Sequence, residues 1–221
     1  MITENQKKTV FLPHVEYRLI SALYGLACDG IHYCLYKEYF DSIENEFTAD
    51  SHLRVWHRHT VNAYYDIAII NWCKLFGAYS EPTHYQRLLT THALKTKLAE
   101  ISIVPPDKEK LKFILLENTG VLVNEFDQYH QLTKDYRDRN LIHRENSPRK
   151  INDGDLYYPH LTTAKETFIS LTLVLIKLSR KFPAMQDGVN FYKFIYDDFD
   201  NKKQICDLIN KSMPTFIEKS E

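Results

Sequence analysis

Glycine and proline are scarce in this chain, with six and eight among 221 residues, roughly half their usual joint share of about 12 %. Both residues punctuate regular structure. So few of them argue against the many turns of a sandwich or barrel, against a Gly-rich dinucleotide fold and against a disordered chain. Long helices are the expectation. Hydrophobic residues make up 44 % of the chain, enough at this length for a real core in one domain or a domain with a helical extension. The 28 Lys and Arg nearly balance the 29 Asp and Glu, for a formal charge of −1. Whole-chain steering of a polyanion is therefore excluded, and any nucleic acid must be held by a local basic patch.

Along the chain, Val15, Leu19, Leu23, Leu26, Ala27 and Ile31 recur at three- and four-residue steps, which predicts a helix from Val10 to about Phe40 with Pro13 in its first turn. Asp50 or Ser51 caps a second helix through Leu53, Trp56, Thr60, Tyr64, Ile67 and Trp72, and Gly77 stops it. Ser80-Glu81-Pro82 reads as the start of a third helix that continues to about Ile101. Pro105-Pro106-Asp107 is the clearest break. Asp107 then caps a helix carrying Leu111, Ile114, Leu115, Leu122, Phe126, Tyr129 and Leu132 inward as far as about Ile142, with Gly120 as a kink. A long loop follows through Ser147-Pro148 and Asn152 to Asp155, and loops of that size are often functional. Thr162 or Thr163 opens the most apolar helix, whose face holds Phe168, Ile169, Leu171, Leu175, Ile176 and Leu178. The expected organisation is a polar tail over residues 1–9, a helical bundle over 10–182 and a helical extension over 183–221.

The longest apolar run, Phe168 to Ile176, is about half of the ~20 residues a spanning helix needs. The polar N-terminus leads into no signal-type stretch, so a cytoplasmic protein without a membrane span is expected. Cys28, Cys34, Cys73 and Cys206 form no C-x-x-C pair and read as reduced core thiols.

The stretch from Asp135 to Glu145 carries the most chemistry. Arg137, Arg139, His143 and Arg144 lie within eight residues. Arginine grips phosphate with a planar, permanently charged fork, and histidine takes or gives a proton near neutral pH. Together they can cleave an RNA phosphodiester without metal, because the 2′-hydroxyl is an internal nucleophile. The competing reading is a charged helix end, with Arg and His favouring the C-terminal dipole and Asp135 and Asp138 pairing with neighbouring arginines.

Tyr136-Arg137-Asp138-Arg139-Asn140-Leu141-Ile142-His143 resembles the signature of HEPN-domain ribonucleases, an Arg separated from a His by a short interval, here five residues. Ile70 to Gly77 resembles, more weakly, the second-helix region of abortive-infection-type relatives. The resemblance implies an all-α, HEPN-like bundle with a four-helix core plus extra helices. It further implies a homodimer whose two motifs face one cleft, and a metal-independent endoribonuclease of defence or toxin–antitoxin type. Arg137 would bind phosphate, Asp138 would position it and His143 would act as acid and base. Arg139, Asn140, Arg144, Tyr157 and Tyr158 would contact RNA. An antitoxin or regulatory protein is a possible further partner, and no metal or cofactor is expected. Two features depart from the pattern. Glu145 stands where one branch of the family carries a tyrosine, and Arg137 and His143 lie about 120° apart on an ideal helix. They converge only if the helix ends or distorts, and Arg139, four residues from His143, is the understudy. The same fold without catalysis, as an RNA- or protein-binding module, is the alternative, with a purely structural dimer behind it.

The other histidines do not converge as metal ligands. His57 and His59 diverge on a helix, and His84 and His92 are about 12 Å apart along one; His52 to His59 reads as solvated surface. Among the aromatics, Tyr33, Tyr36, Tyr39, Phe40, Tyr64, Tyr65, Tyr79 and Tyr85 read mostly as core or interface.

Overall fold

The computed structural model describes residues 14–44, 52–101, 107–117, 119–138 and 158–182. The chain divides into two units, residues 1–181 and 182–221, and the account below concerns the first. The described residues form six helices and no strand: α1 (His14–Ser42), α2 (His52–Phe76), α3 (His92–Ile101), α4 (Lys108–Leu116), α5 (Val123–Tyr136) and α6 (Leu161–Ser179). An all-α chain is what the scarcity of glycine and proline predicts. None of these helices is long and apolar enough to cross a membrane.

The three longest helices build the centre. α1 packs along α2 and α6, α5 lies on α2, and α4 lies on α6. Gly30 lets α1 approach α6, because it leaves room for the fully buried ring of Phe168. α6 is the most buried helix, as its apolar face requires, and its polar groups are satisfied locally. Thr167 and Thr172 bond back to carbonyls of their own helix, and Ser170 bonds the Leu115 carbonyl of α4. Trp72 is fully buried beside Phe76, Phe126 and Tyr129. Its indole N–H donates to Thr167 Oγ1 at 2.9 Å, which removes the penalty of an unmatched donor in the core. Cys28, Cys34 and Cys73 are buried free thiols, as expected, and Cys206 lies outside the described residues.

Several expectations are corrected. Ser80-Glu81-Pro82 does not start a helix. The Arg87 guanidinium donates to the carbonyls of Tyr79, Ser80 and Glu81 and holds that segment as a turn. A 3₁₀ turn, Tyr85–Leu89, follows with His84 as its cap. Thr91 Oγ1 then accepts the Leu94 N–H at 3.3 Å and opens α3. The helix expected from Asp107 to Ile142 is two helices. Asp107 caps α4 as predicted, accepting the Lys110 N–H at 2.8 Å, but Gly120 adopts φ +67° and breaks the chain rather than kinking it. The Glu125 carboxylate accepts the Leu122 N–H at 3.0 Å and restarts it as α5. Leu122 thus stands in the turn and is exposed rather than inward. α5 is α-helical to Tyr136 and passes into a π-type turn at Arg137 and Asp138; the remainder of the expected stretch to about Ile142 lies outside the described residues.

Val15 and Trp56, placed on core faces by periodicity, are 67 % and 52 % exposed. Each lies on the outer face of its helix, where the packed face buries the next residue, Glu16 or His57, instead; Ile169 on α6 also reaches solvent. His57, read as solvated surface, is buried and engages the Phe40 carbonyl through Nε2 at 2.6 Å. Its position on the α1–α2 seam, not its neighbours in sequence, decides this.

Candidate functional site

α5 carries the first half of the arginine–histidine motif to the end of a helix. Phe126 and Tyr129 anchor it on Trp72, and His130 Nε2 lies 3.2 Å from the Gly77 carbonyl oxygen. Thr133 bonds back to the Tyr129 and His130 carbonyls. Tyr136 closes the helix, buried, with its hydroxyl donating to Asp66 Oδ1 at 2.7 Å. The next two residues continue in a wider, π-type turn.

Within that turn Arg137 Nε and Nη2 both donate to Asp138 Oδ1, at 2.8 and 2.7 Å. A fifth of the Arg137 side chain remains exposed. Partial burial, the largest single influence, works against its charge, but the Asp138 bond and the charges of Cys73, Asp138 and Glu81 together exceed it and hold the guanidinium above its ordinary value. Cys73, whose thiol donates to the Thr133 carbonyl at 3.8 Å, is pushed up to about 11 by burial, against the pull of Arg137.

Tyr136 faces another way. It lines a cleft of about 500 Å³ bounded by the C-terminal half of α1, the first half of α2 and the residues leading into α6. One wall is a tyrosine triad. Tyr65 meets Tyr136 edge-on at 5.3 Å and 82°, and meets Tyr158 at 5.8 Å and 75°. Tyr136 and Tyr158 are 5.5 Å apart. Two of the three hydroxyls are tied down, Tyr136 to Asp66 and Tyr65 to the Pro159 carbonyl at 2.7 Å. Burial first, then Asp66, raises the pKa of Tyr65; burial and the Tyr136 bond to Asp66 do the same for Tyr136, so both stay neutral phenols. Tyr158 is 55 % exposed and offers its ring to the cleft.

The rest of the lining is polar. Lys37 pairs with Asp41 one turn along α1. Glu44 receives Arg58 at 3.5 Å and Arg54 at 3.7 Å. Asn62 and Asp66 project from α2, and Val61 supplies an aliphatic surface.

Of the residues singled out in the sequence, the structure brings Arg137 and Asp138 together and sets Tyr158 in the cleft. Arg137 is not part of the cleft lining. Arg139, Asn140, His143, Arg144 and Tyr157 lie outside the described residues. Lys37, Glu44, Asn62 and Asp66 went unnoticed in the sequence. Lys37 and Asp41 carry an i, i+4 charge signal, but Asp66 meets Tyr136 across 70 residues of chain and leaves no local trace. Among the described residues no group of three or more His, Cys, Asp or Glu is arranged to hold a metal ion. Compared with known protein families, with curated proteins and with solved structures, the chain finds no match.

Proposed function

We propose that this chain is a metal-independent endoribonuclease of HEPN type that works as a homodimer. The observation that carries this reading is the end of α5. On a continuous α-helix Arg137 and His143 would lie about 120° apart; with α5 giving way to a widened, π-type turn at Arg137 and Asp138, the regular α-helical spacing is already broken where the motif begins. In the proposed reaction the substrate's 2′-oxygen attacks phosphorus, its proton passes to a histidine, and the 5′-oxygen leaves with a proton from an acid. The products are a 2′,3′-cyclic phosphate and a 5′-hydroxyl. His143 of each protomer supplies the proton transfers, and Arg137 neutralises the phosphorane, with Arg139 as its alternative. Asp138 fixes the guanidinium plane. Arg139, Asn140, Arg144, Tyr157 and Tyr158 contact the RNA.

A second reading has its own observation. Both Arg137 donors go to one Asp138 oxygen, so a phosphate must compete with a charge-assisted pair, which suits a non-catalytic binding module. One experiment separates the two. RNA is incubated with purified protein in EDTA beside His143→Ala and Arg137→Ala variants. The catalytic reading expects cyclic phosphate ends, inert DNA and a rate loss of about 10²-fold or more for His143→Ala with RNA affinity retained. RNA binding without cleavage, lost in Arg137→Ala alone, establishes the binding module.

A further inference from the structure

We propose that the tyrosine-walled cleft is the subsite for one unpaired base of the RNA strand. The inference rests on the RNA reading above, in its catalytic or its binding form, and says which part of the strand the cleft takes. Charge narrows the choice. Lys37 pairs with Asp41, and Glu44 receives both Arg58 and Arg54. Counting Arg54, three cations stand against the three carboxylates Asp41, Glu44 and Asp66. A phosphate finds both cations of the lining already engaged, and a charge of either sign meets no surplus of the other. An aliphatic chain fits no better. Val61 is the one aliphatic side chain of the lining, and the charged groups around it would lose water without replacement.

A flat, uncharged group with a hydrogen-bonding edge meets none of these objections. Tyr158 supplies the face for it, 55 % exposed. Its ring is braced by Tyr65 at 5.8 Å and Tyr136 at 5.5 Å, and the Tyr65 hydroxyl holds the carbonyl of Pro159, the next residue in the chain. A platform fixed that way loses little freedom when a base stacks on it. Asn62, exposed on α2 in the same lining, carries an amide that both donates and accepts, as the edge of a base requires. The cleft, about 500 Å³, falls within the range of sites for single small molecules, with room for a nucleoside but not for a paired helix. Its place in the fold completes the argument. Tyr136 lines the cleft and Arg137 follows it in the chain, so one end of α5 serves a phosphate through Arg137 and a neighbouring base through the tyrosines.

The test measures binding by fluorescence anisotropy, with the full chain in EDTA and in the His143→Ala background so that the strand stays whole. The probes are a short single-stranded RNA, the same ribose-phosphate strand without bases, and a fully paired RNA hairpin. Tyr158→Ala is expected to weaken the single strand about tenfold or more, to leave the abasic strand and the hairpin as they were, and to keep the helical circular dichroism. Tyr158→Phe, which retains the stacking face, is expected to bind the single strand undiminished. Asn62→Ala is expected to weaken the same probe several-fold. Arg137→Ala is expected to weaken all three probes, since it meets phosphate. A single strand held as tightly by Tyr158→Ala, or an equal loss on the abasic strand, overturns the base subsite and leaves the RNA reading standing. A loss in Tyr158→Phe as large as in Tyr158→Ala overturns stacking as its basis. Absence of binding to every probe overturns the RNA reading itself, and the subsite with it.

Discussion

Replacing Gly30 by alanine tests whether the approach of α1 to α6 is as close as the structure places it. A Cβ built there falls 2.4 Å from Phe168 Cζ and within 2.6 Å of both neighbouring ring carbons. Unstrained carbon contacts lie near 3.5–4.0 Å, so the ring or the helix must retreat by about 1 Å. The ring has little freedom to yield, because Phe168 is fully buried and stacks within 6.2 Å of Phe76. Overpacking of this kind costs about 1–3 kcal/mol, here expected near the upper end. Against it stands the gain of about 1 kcal/mol from removing a glycine inside a helix. The expected net loss is about 1–2 kcal/mol. Gly25 is the internal control: it lies on the same helix with nothing within 4 Å of its added Cβ, so Gly25→Ala is expected to stabilise by about 0.5–1 kcal/mol. Urea unfolding followed by circular dichroism and by fluorescence of the buried Trp72 reads both. A Phe168→Leu replacement in the Gly30→Ala background should recover part of the loss, as a favourable coupling energy in the double-mutant cycle. A Gly30→Ala variant as stable as Gly25→Ala would refute the close approach.

Gly120→Ala places a Cβ at φ +67°, where no atom blocks it but the backbone conformation is unfavourable, so a loss of about 1–2 kcal/mol is expected in the same urea assay; an unchanged midpoint would contradict the left-handed turn. His84 is held down to about 4, chiefly by burial and then by the charge of His130, with Arg87 adding to it. The unfolded chain takes up that proton near its ordinary value of about 6.5 while the folded chain resists until about 4, so this contribution to stability is present above 6.5 and is lost as pH falls between those values. His84→Asn, which retains a side-chain cap for the Gln86 N–H, should flatten the pH dependence of stability in that window; an unaltered slope measured by urea titration at several pH values rules out His84 as its source.

Where local chemistry decides structure, the sequence was readable. Asp107 after two prolines caps α4 because its carboxylate reaches the Lys110 N–H three residues on, a contact that needs no information from elsewhere. The apolar run of α6 had to be central because no single neighbouring helix could cover it, and α1, α2 and α4 all pack on it. Ser80-Glu81-Pro82 misled because its carbonyls are claimed by Arg87, whose side chain reaches back across the turn, and such a claim leaves no mark at the serine. Gly120 was recognised as a weak point, but kink and break differ by the sign of φ, which glycine permits either way. The cleft was the least legible part. Tyr158 was noticed as an aromatic, yet its surroundings come from two distant stretches, Tyr65 and Asp66 side by side on α2 and Tyr136 on α5, and only the packing of α5 on α2 assembles them.

That packing also explains why two adjacent residues serve different surroundings. Successive side chains on a helix are about 100° apart, so Tyr136 turns into the cleft while Arg137, paired with Asp138, is not part of its lining. Nothing in the identity of either residue chooses its side; the register of α5 does. The register is set at one end by Glu125 holding the Leu122 N–H after the Gly120 turn, midway by His130 against the Gly77 carbonyl, and at the other end by Tyr136 on Asp66. Moving the start of the helix by one residue would bring Arg137 to the place of Tyr136, adding a cation to the cleft and removing the ring that packs on Tyr158. The turn at Gly120 thus determines, from the far end of α5, both which side chain of α5 lines the cleft and the position of the arginine that the ribonuclease reading requires.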